Sequence, residues 1–443
     1  MEKAKNQIIN KLQQVKFIKH PVFKENSTLT FFEKKDLLED MPSIFFLAGE
    51  NGSGKTSILN LIYFGLGKVK KGYAVPLDSK DLKVEFSLLS GDKYETINIY
   101  VEDGYIRSDV HPDNLKIIYN GVDVSFKKVK ITSATATTAD EKDAPKEESE
   151  NLSEEIPQLL VNIKTEDDSF FADYYKENGK APENYIRKLD RFTKAFEKMF
   201  NGTKTFRALK REDGEIKIIF TDKSGNEVDL NTFSTGEKQI IFRVGHLLKD
   251  LKNLDNALIL IDEPETSLHP KWQKKYAQYL MDVFGELNIQ FVIATHSPYI
   301  LQGLKDKKSV CFKIDRGQSE IGQKVGFYKN MIGDGPSVNL INYKVYDIVD
   351  ELLQIELFAA LEIKEGGYAK LKNKMNSDKK IIKAKSFIAT VNYNGCRIGD
   401  TIIEALPLSI RNKIHHADEK NRPEFDENNL RESTEIMLKM LSN

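Results

Sequence analysis

The stretch GENGSGKTS, Gly49 to Ser57, constrains this chain more than any other. A glycine, a second glycine five positions on, then Lys and Thr is the spacing of a phosphate-binding loop. The apolar run SIFFLA precedes it and KTSILNLIY follows with helical spacing, so a buried strand stops at the loop and restarts as a helix. Glycines let backbone N–H groups close around phosphate oxygens, and the helix N-terminus favours anions. Gly49, Glu50, Asn51, Gly52, Ser53, Gly54, Lys55, Thr56 and Ser57 are therefore read as ATP-binding residues. Lys55 is expected at the β- and γ-phosphates and the Thr56 hydroxyl on Mg²⁺. A plain glycine-rich turn is the alternative, but a turn needs neither the strand nor the helix that frame this one.

Two later stretches supply carboxylates and an imidazole. LILIDEPETSLHP runs four apolar residues directly into Asp262 and Glu263. Parallel α/β sheets bind ligands at the carboxyl ends of their strands, where these two acids fall. Asp262 is read as the Mg²⁺ carboxylate and Glu263 as the group that orients and polarises an attacking water. A helix cap is the ordinary alternative for acids before a proline, and it leaves the apolar run unexplained. FVIATHSPYIL reads as a third buried strand, ending at His296 with Thr295 and Ser297 beside it. A lone strand-end His is often structural; here it would stand near the γ-phosphate and help hold the water. FSTGEKQIIF, from Phe233, contains no obvious nucleophile or metal ligand. Its short hydroxyl and glycine at a helix start suit an ordinary cap and an incoming anion alike.

The 66 basic and 67 acidic residues leave a formal net charge of −1, which argues against a uniformly basic nucleic-acid wrapper. Cys311 and Cys396 are the only cysteines and form no CxxC, so neither a disulfide framework nor a zinc knuckle is expected. The opening MEKAKNQIINKLQQVKF lacks an apolar signal core, and no apolar run approaches a membrane span. The expectation is a soluble, cytoplasmic protein with no membrane partner.

Strand-like patterns fill the region from Lys16 to Val124: KFIKHPVF, TLTFF, SIFFLAG, LKVEFSLL, ETINIYV and LKIIYN. One helix interrupts them, closed by Gly65 and Gly67. Residues 133–155 are small, polar and acidic and read as a flexible surface loop. Residues 156–205 read as helical, EIKIIFTDKSGNEVDL as a hairpin with a Gly-Asn turn, and VCFKID as a further strand. Beyond Pro336, apolar residues at Val345, Ile348, Val349, Leu352, Leu353 and Leu357 keep helical spacing. The expected fold is α/β: a P-loop NTPase sheet with helices over residues 1–330, a helical lobe inserted at about 156–250, and a small all-α domain over 335–443.

In order, GENGSGKTS, FSTGEKQ, LILIDEPETSLHP and ATHSP resemble the ABC-type, SMC-like ATPase head. That class includes chromosome-organising and recombination ATPases and the OLD, Septu and retron-associated ATPases of bacterial defence. The resemblance covers about residues 15–315. It implies that FSTGEKQ is the signature motif, with Ser234, Thr235, Gly236 and Glu237 meeting ATP held by a second subunit. A homo-oligomer, at least a dimer, is then the working form, and Ser267, Leu268 and His269 form the D-loop that carries signals between sites. Thr235 stands where many transporters have Gly, and Glu237 and Lys238 follow in place of Gly-Gln, a form closer to recombination and defence ATPases. Gln158 is the candidate for the Q-loop. The lack of membrane helices excludes a self-contained transporter. The interval from Thr56 to Ser234 excludes a long coiled coil, and the tail is too short for a Toprim nuclease.

RNKIHH in the tail is similar to the Arg–polar–His motif of HEPN ribonucleases. That resemblance implies a metal-independent RNase in which Arg411 stabilises phosphate charge, Asn412 is the polar residue and His416 is the acid or base. A helix-capping or partner-docking role for the same residues stands beside it. Two classes of function follow. One is a defence ATPase that controls a nuclease, its own tail or a partner such as an HNH protein. The other is a DNA-maintenance ATPase that clamps duplex ends.

Overall fold

A computed structural model describes residues 10–33, 36, 43–67, 81–91, 93–102, 105–112, 115–121, 130–135, 139–140, 152–183, 185–304, 309–326, 336–377, 386–390, 401–416 and 424–442. The chain divides into two units, Met1–Val325 and Gly326–Asn443.

The first unit runs β1 (Asn10–Lys19), β2 (Ser27–Thr30), β3 (Ile44–Ala48), α1 (Lys55–Leu66), β4 (Lys83–Ser90), β5 (Lys93–Glu102), β6 (Tyr105–Ser108) and β7 (Ile117–Asn120). It continues through α2 (Leu152–Asn178), α3 (Asp190–Phe200), β8 (Lys204–Glu212), β9 (Glu215–Asp222), β10 (Glu227–Asp229) and α4 (Thr235–Lys249). It ends with β11 (Leu258–Asp262), α5 (Pro270–Gln273), α6 (Tyr276–Phe284), β12 (Gln290–Thr295), α7 (Pro298–Leu301), β13 (Ser309–Ile314) and β14 (Gly322–Lys324).

The central sheet has the order β14-β13-β3-β12-β11-β7, parallel except for β14. Its strands β3, β11 and β12 are buried along their whole length. Burial on both faces explains their unbroken apolar sequences. A second sheet, β2-β1-β4-β5-β6, is antiparallel. One apolar core joins Phe45 and Leu47 of β3, Ile58 and Ile62 of α1, and Val84, Phe86, Ile97 and Ile99 of the antiparallel sheet, so α1 packs against both sheets. Gly65 lies inside α1 rather than closing it: a Cβ there would meet Phe86 and Ile99 at 3.0 Å. Gly67 is the C-cap.

The expected lobe contains α2, α3 and α4, and also a three-stranded sheet, β10-β9-β8. The hairpin read from sequence is β9–β10. Strand β8 was not expected; it joins β9 through Asp213 and Gly214, both with positive φ (53° and 78°), which suits a tight hairpin. Helix α2 begins at Leu152, inside the segment read as a loop. Parts of that loop are pinned. Thr135 N–H donates to Asn162 at 2.8 Å, and Arg191 Nη1 reaches both Asp140 carboxylate oxygens at 3.0 and 2.8 Å. Residues 136–138 and 141–151 lie outside the described residues.

The second unit contains α8 (Val338–Tyr346), α9 (Glu351–Glu365), α10 (Tyr368–Ser377), β15 (Ser386–Thr390), β16 (Thr401–Ala405), α11 (Leu406–His415) and α12 (Glu427–Ser442). It is not all-α: SFIAT and TIIEA pair as an antiparallel ribbon. Both are short and rich in β-branched residues, a strand signal that a five-residue span carries only weakly. Val345, Leu353 and Leu357 are buried, while Ile348 and Leu352 are exposed. Gln354 binds the Leu430 carbonyl and Thr434 at 2.7 and 2.6 Å and fixes α9 against α12. No described helix of the chain is long and apolar enough to cross a membrane.

Candidate active site

Sheet register assembles the site. Ala48 pairs with Thr295, Ala294 with Asp262, and Ile261 with Asn120, so the carboxyl ends of β3, β12, β11 and β7 lie level. Gly49, His296, Glu263 and Gly121 therefore leave the sheet along one edge.

The loop after β3 takes backbone conformations that favour glycine at Gly49, Gly52 and Gly54, with φ of 154°, 75° and 96°. Gly54 is the N-cap of α1 and supplies no side chain to the helix N–H groups. A Cβ at Gly54 would stand 2.5 Å from the Phe23 ring. Lys55 is buried and its Nζ donates to the Gly49 and Glu50 carbonyls, each at 2.9 Å. Burial lowers the Lys55 pKa, opposed by the nearby charges of Glu263, Asp262 and Glu265.

Asp262 is fully buried. Burial raises its pKa, against hydrogen bonds from Thr56 and Tyr119; the Tyr119 hydroxyl donates to Oδ2 at 3.2 Å. Its Oδ1 is buried with no hydrogen-bond partner among the described residues. A carboxylate oxygen so placed, bonded through its carboxyl group to the Thr56 hydroxyl, is the hard oxygen chemistry that Mg²⁺ takes. The residues fit a Mg²⁺–nucleotide.

Glu263 has φ 42°, in the left-handed region that non-glycine residues rarely adopt. Its N–H donates to the Ala294 carbonyl at 3.0 Å, and its Oε1 lies 3.3 Å from His296 Nδ1. The structure thus brings the two expected catalytic residues together. The backbone N–H of His296 and the Thr295 hydroxyl both donate to Glu265 Oε1 at 2.8 Å. Ser297 Oγ donates to Gln273 Oε1 at 2.6 Å, and Gln273 Nε2 donates to the Leu268 carbonyl at 2.8 Å. The turn at Ser267–His269 and the His296 turn are therefore one hydrogen-bonded unit. Ser267 is also left-handed, with φ 62°, and His269 caps α5 by accepting from Lys271 N–H.

Ser234 is the N-cap of α4 in a full capping box: its N–H and hydroxyl donate to Glu237 Oε2 at 2.8 and 2.9 Å. Lys204 pairs with Glu237, and with the Ser234 bonds it holds that carboxyl below its usual range despite burial. Ser234 and Thr235 are exposed, and Gly236 is buried. Gly236 lies so close to the turn at Ser267 that a Cβ there would be 2.4 Å from the Ser267 carbonyl oxygen.

Sequence reasoning missed Tyr119, Asn120, Arg243, Glu265 and Gln273. None belongs to a spaced motif: Tyr119 and Asn120 end the strand pattern LKIIYN, Glu265 lies three residues after Asp262, and Arg243 and Gln273 fall just beyond FSTGEKQIIF and LILIDEPETSLHP. Gln158 lies on α2, donating to the Ser133 carbonyl and Asn162 at 2.9 Å. Asn120, with a buried Oδ1 lacking a partner among the described residues, is the amide that ends β7 beside β11.

In the second unit, the Arg411 guanidinium lies 5.0 Å from the Tyr368 ring centroid and 5.5 Å from that of Phe358. Its Nη1 donates to Asn412 Oδ1 at 3.1 Å, and Asn412 is buried. His416 is the C-cap of α11; His415, one turn from Arg411, is exposed.

A family described as "AAA domain, putative AbiEii toxin, Type IV TA system" matches residues 44–302. The chain is similar to "Retron Vc95 probable ATPase" of Vibrio cholerae, 40% identical over 88 residues, covering 18% of this chain and 17% of that protein. It is similar to "Septu protein PtuA" of Bacillus mycoides, 29% identical over 136 residues, covering 29% of this chain and 18% of that protein. The chain thus matches less than a fifth of the length of these two relatives. Among solved structures, the SMC head domain from Thermotoga maritima is 12% identical with a TM-score of 0.38, covering 72% of this chain and 99% of that one.

Proposed function

This chain belongs to the AAA domain family, and from that premise we propose that it is an ATPase that binds Mg²⁺–ATP at Gly49–Ser57, assembles through its nucleotide sites and controls a nuclease in anti-phage defence. The observation that carries the reading is Asp262, buried and hydrogen-bonded with Thr56, directly followed by Glu263, which lies 3.3 Å from His296. Lys55 and the N–H groups at the start of α1 bind the phosphates, and Thr56 and Asp262 hold the cation. Bound Mg²⁺ neutralises phosphate charge. Glu263 aligns water for attack and His296 holds that water and Glu263 in place.

Ser234 and Thr235, exposed at the start of α4, face outward and suit a nucleotide held by a second subunit. The names of the retron and Septu relatives support a defence setting. The stacking of Arg411 on Tyr368 and Phe358 favours a structural or docking role for the tail over an RNase of its own. The nuclease is then a separate protein, such as an HNH enzyme. A DNA-clamping ATPase is the second reading, and DNA-stimulated hydrolysis with a steep salt dependence is its signature.

Glu263→Gln keeps the fold and removes the carboxylate. Expected are loss of ATP hydrolysis and an ATP-dependent oligomer that outlives the wild type's on gel filtration. Identical elution of the two proteins with ATP rules out the sandwich. Arg411→Ala with His416→Ala separates the tail's two roles: RNA cleavage that disappears in this variant would restore the RNase reading.

A further inference from the structure

We infer that Arg243 is a positioning residue for ATP hydrolysis, tying the signature helix to the catalytic carboxylate of its own subunit. Arg243 lies on α4 roughly two and a half turns beyond Ser234 and is 3% exposed. Its Nη1 donates to the Asp262 backbone carbonyl at 3.0 Å. That carbonyl belongs to the peptide unit that joins Asp262 to Glu263. The N–H of the same unit donates to the Ala294 carbonyl at 3.0 Å. One peptide plane is therefore gripped at both ends, by α4 on one side and by β12 on the other.

This plane sets the backbone of Glu263, whose φ is 42°. A left-handed non-glycine residue persists only where its surroundings fix it. Arg243 is fixed in turn, since Asn120 Nδ2 donates to its carbonyl at 3.4 Å. The Asp262 and Glu265 carboxylates and the Tyr276 and Tyr119 hydroxyls act electrostatically on the guanidinium and favour its charge. A buried cation needs such partners, and the geometry directs Nη1 at the Asp262 carbonyl. A shift of α4 on engaging nucleotide in trans would reach Glu263 through this bond, on a route separate from the D-loop.

The inference rests on the ATPase reading, so the wild type and Glu263→Gln are measured beside Arg243→Met and Arg243→Lys. All four are tested as full-length protein for steady-state ATP hydrolysis and for equilibrium binding of a fluorescent ATP analogue. Arg243→Met should lower kcat by about ten- to a hundredfold and leave the nucleotide Kd within about twofold. Arg243→Lys, which keeps a cation and a donor, should recover part of kcat. Should Arg243→Met fail to fold, Arg243→Lys carries the test through its reduced kcat at unchanged Kd. Wild-type kcat in either folded variant overturns the inference, as does parallel loss of binding and turnover in both. A wild type without hydrolysis, or Glu263→Gln turning over at the wild-type rate, overturns the ATPase reading itself and this inference with it.

Discussion

A Cβ at Gly236 would stand 2.4 Å from the Ser267 carbonyl oxygen, and the atom it meets is backbone, which cannot swing aside. Gly236→Ala must push the Ser267 turn away from α4. The expected cost is about 1–3 kcal/mol, read as a lower urea midpoint, with loss of ATP hydrolysis where Gly236→Ala still folds. The glycines of the loop after β3 were legible because phosphate chemistry fixes their spacing. The reason for a glycine at 236 was only half legible: an anion explains it, but so does a contact with a segment 31 positions away, which no local pattern encodes. The same limit hid Tyr119, Arg243 and Gln273. Each acts through a partner brought close by sheet register, and register is invisible until the strands are ordered.

Helix α3 shows how a single buried group can specify an element. Its N-cap is Leu189, which offers no side-chain acceptor. Asp167, fully buried on α2, takes over: it accepts from Lys188 N–H at 3.1 Å, Leu189 N–H at 3.0 Å and the Tyr185 hydroxyl at 2.8 Å. Burial and this bond push the Tyr185 hydroxyl up to about 12. Asp167→Ala leaves those donors without their acceptor and should cost roughly 2–4 kcal/mol, measured by urea unfolding. An unchanged midpoint would show that α3 does not depend on Asp167. The long helix α2 and the unbroken apolar strands β3 and β11 were legible. Strands β6, β8, β15 and β16 were not. They are short or charged, and their stability comes from cross-strand pairing rather than from their own pattern.

At the scale of the whole molecule, two partly buried imidazoles set a pH limit. Burial lowers the pKa of His20 and of His246 to about 4. Glu155 and Asp250 raise the His246 value, Lys249 and Lys116 lower it, and burial outweighs them all. In the unfolded chain each imidazole takes its proton near about 6.5. Below that pH the unfolded state binds more protons, so stability is full above about 6.5 and falls as pH drops toward about 4, by up to roughly 1.4 kcal/mol per pH unit for each imidazole. His246→Phe should flatten the fall in urea midpoint between pH 6.5 and pH 4.5; an unaltered slope means that His246 does not contribute. The left-handed backbone at Glu263 sets a second limit, on what selection can hold. Glu263→Gly should gain roughly 0.5–1 kcal/mol, relief of backbone strain exceeding the entropy of a freer unfolded chain, while abolishing hydrolysis. A library of this chain selected for heat resistance alone would drift toward glycine at 263, and a second library selected for ATP hydrolysis as well would keep the glutamate.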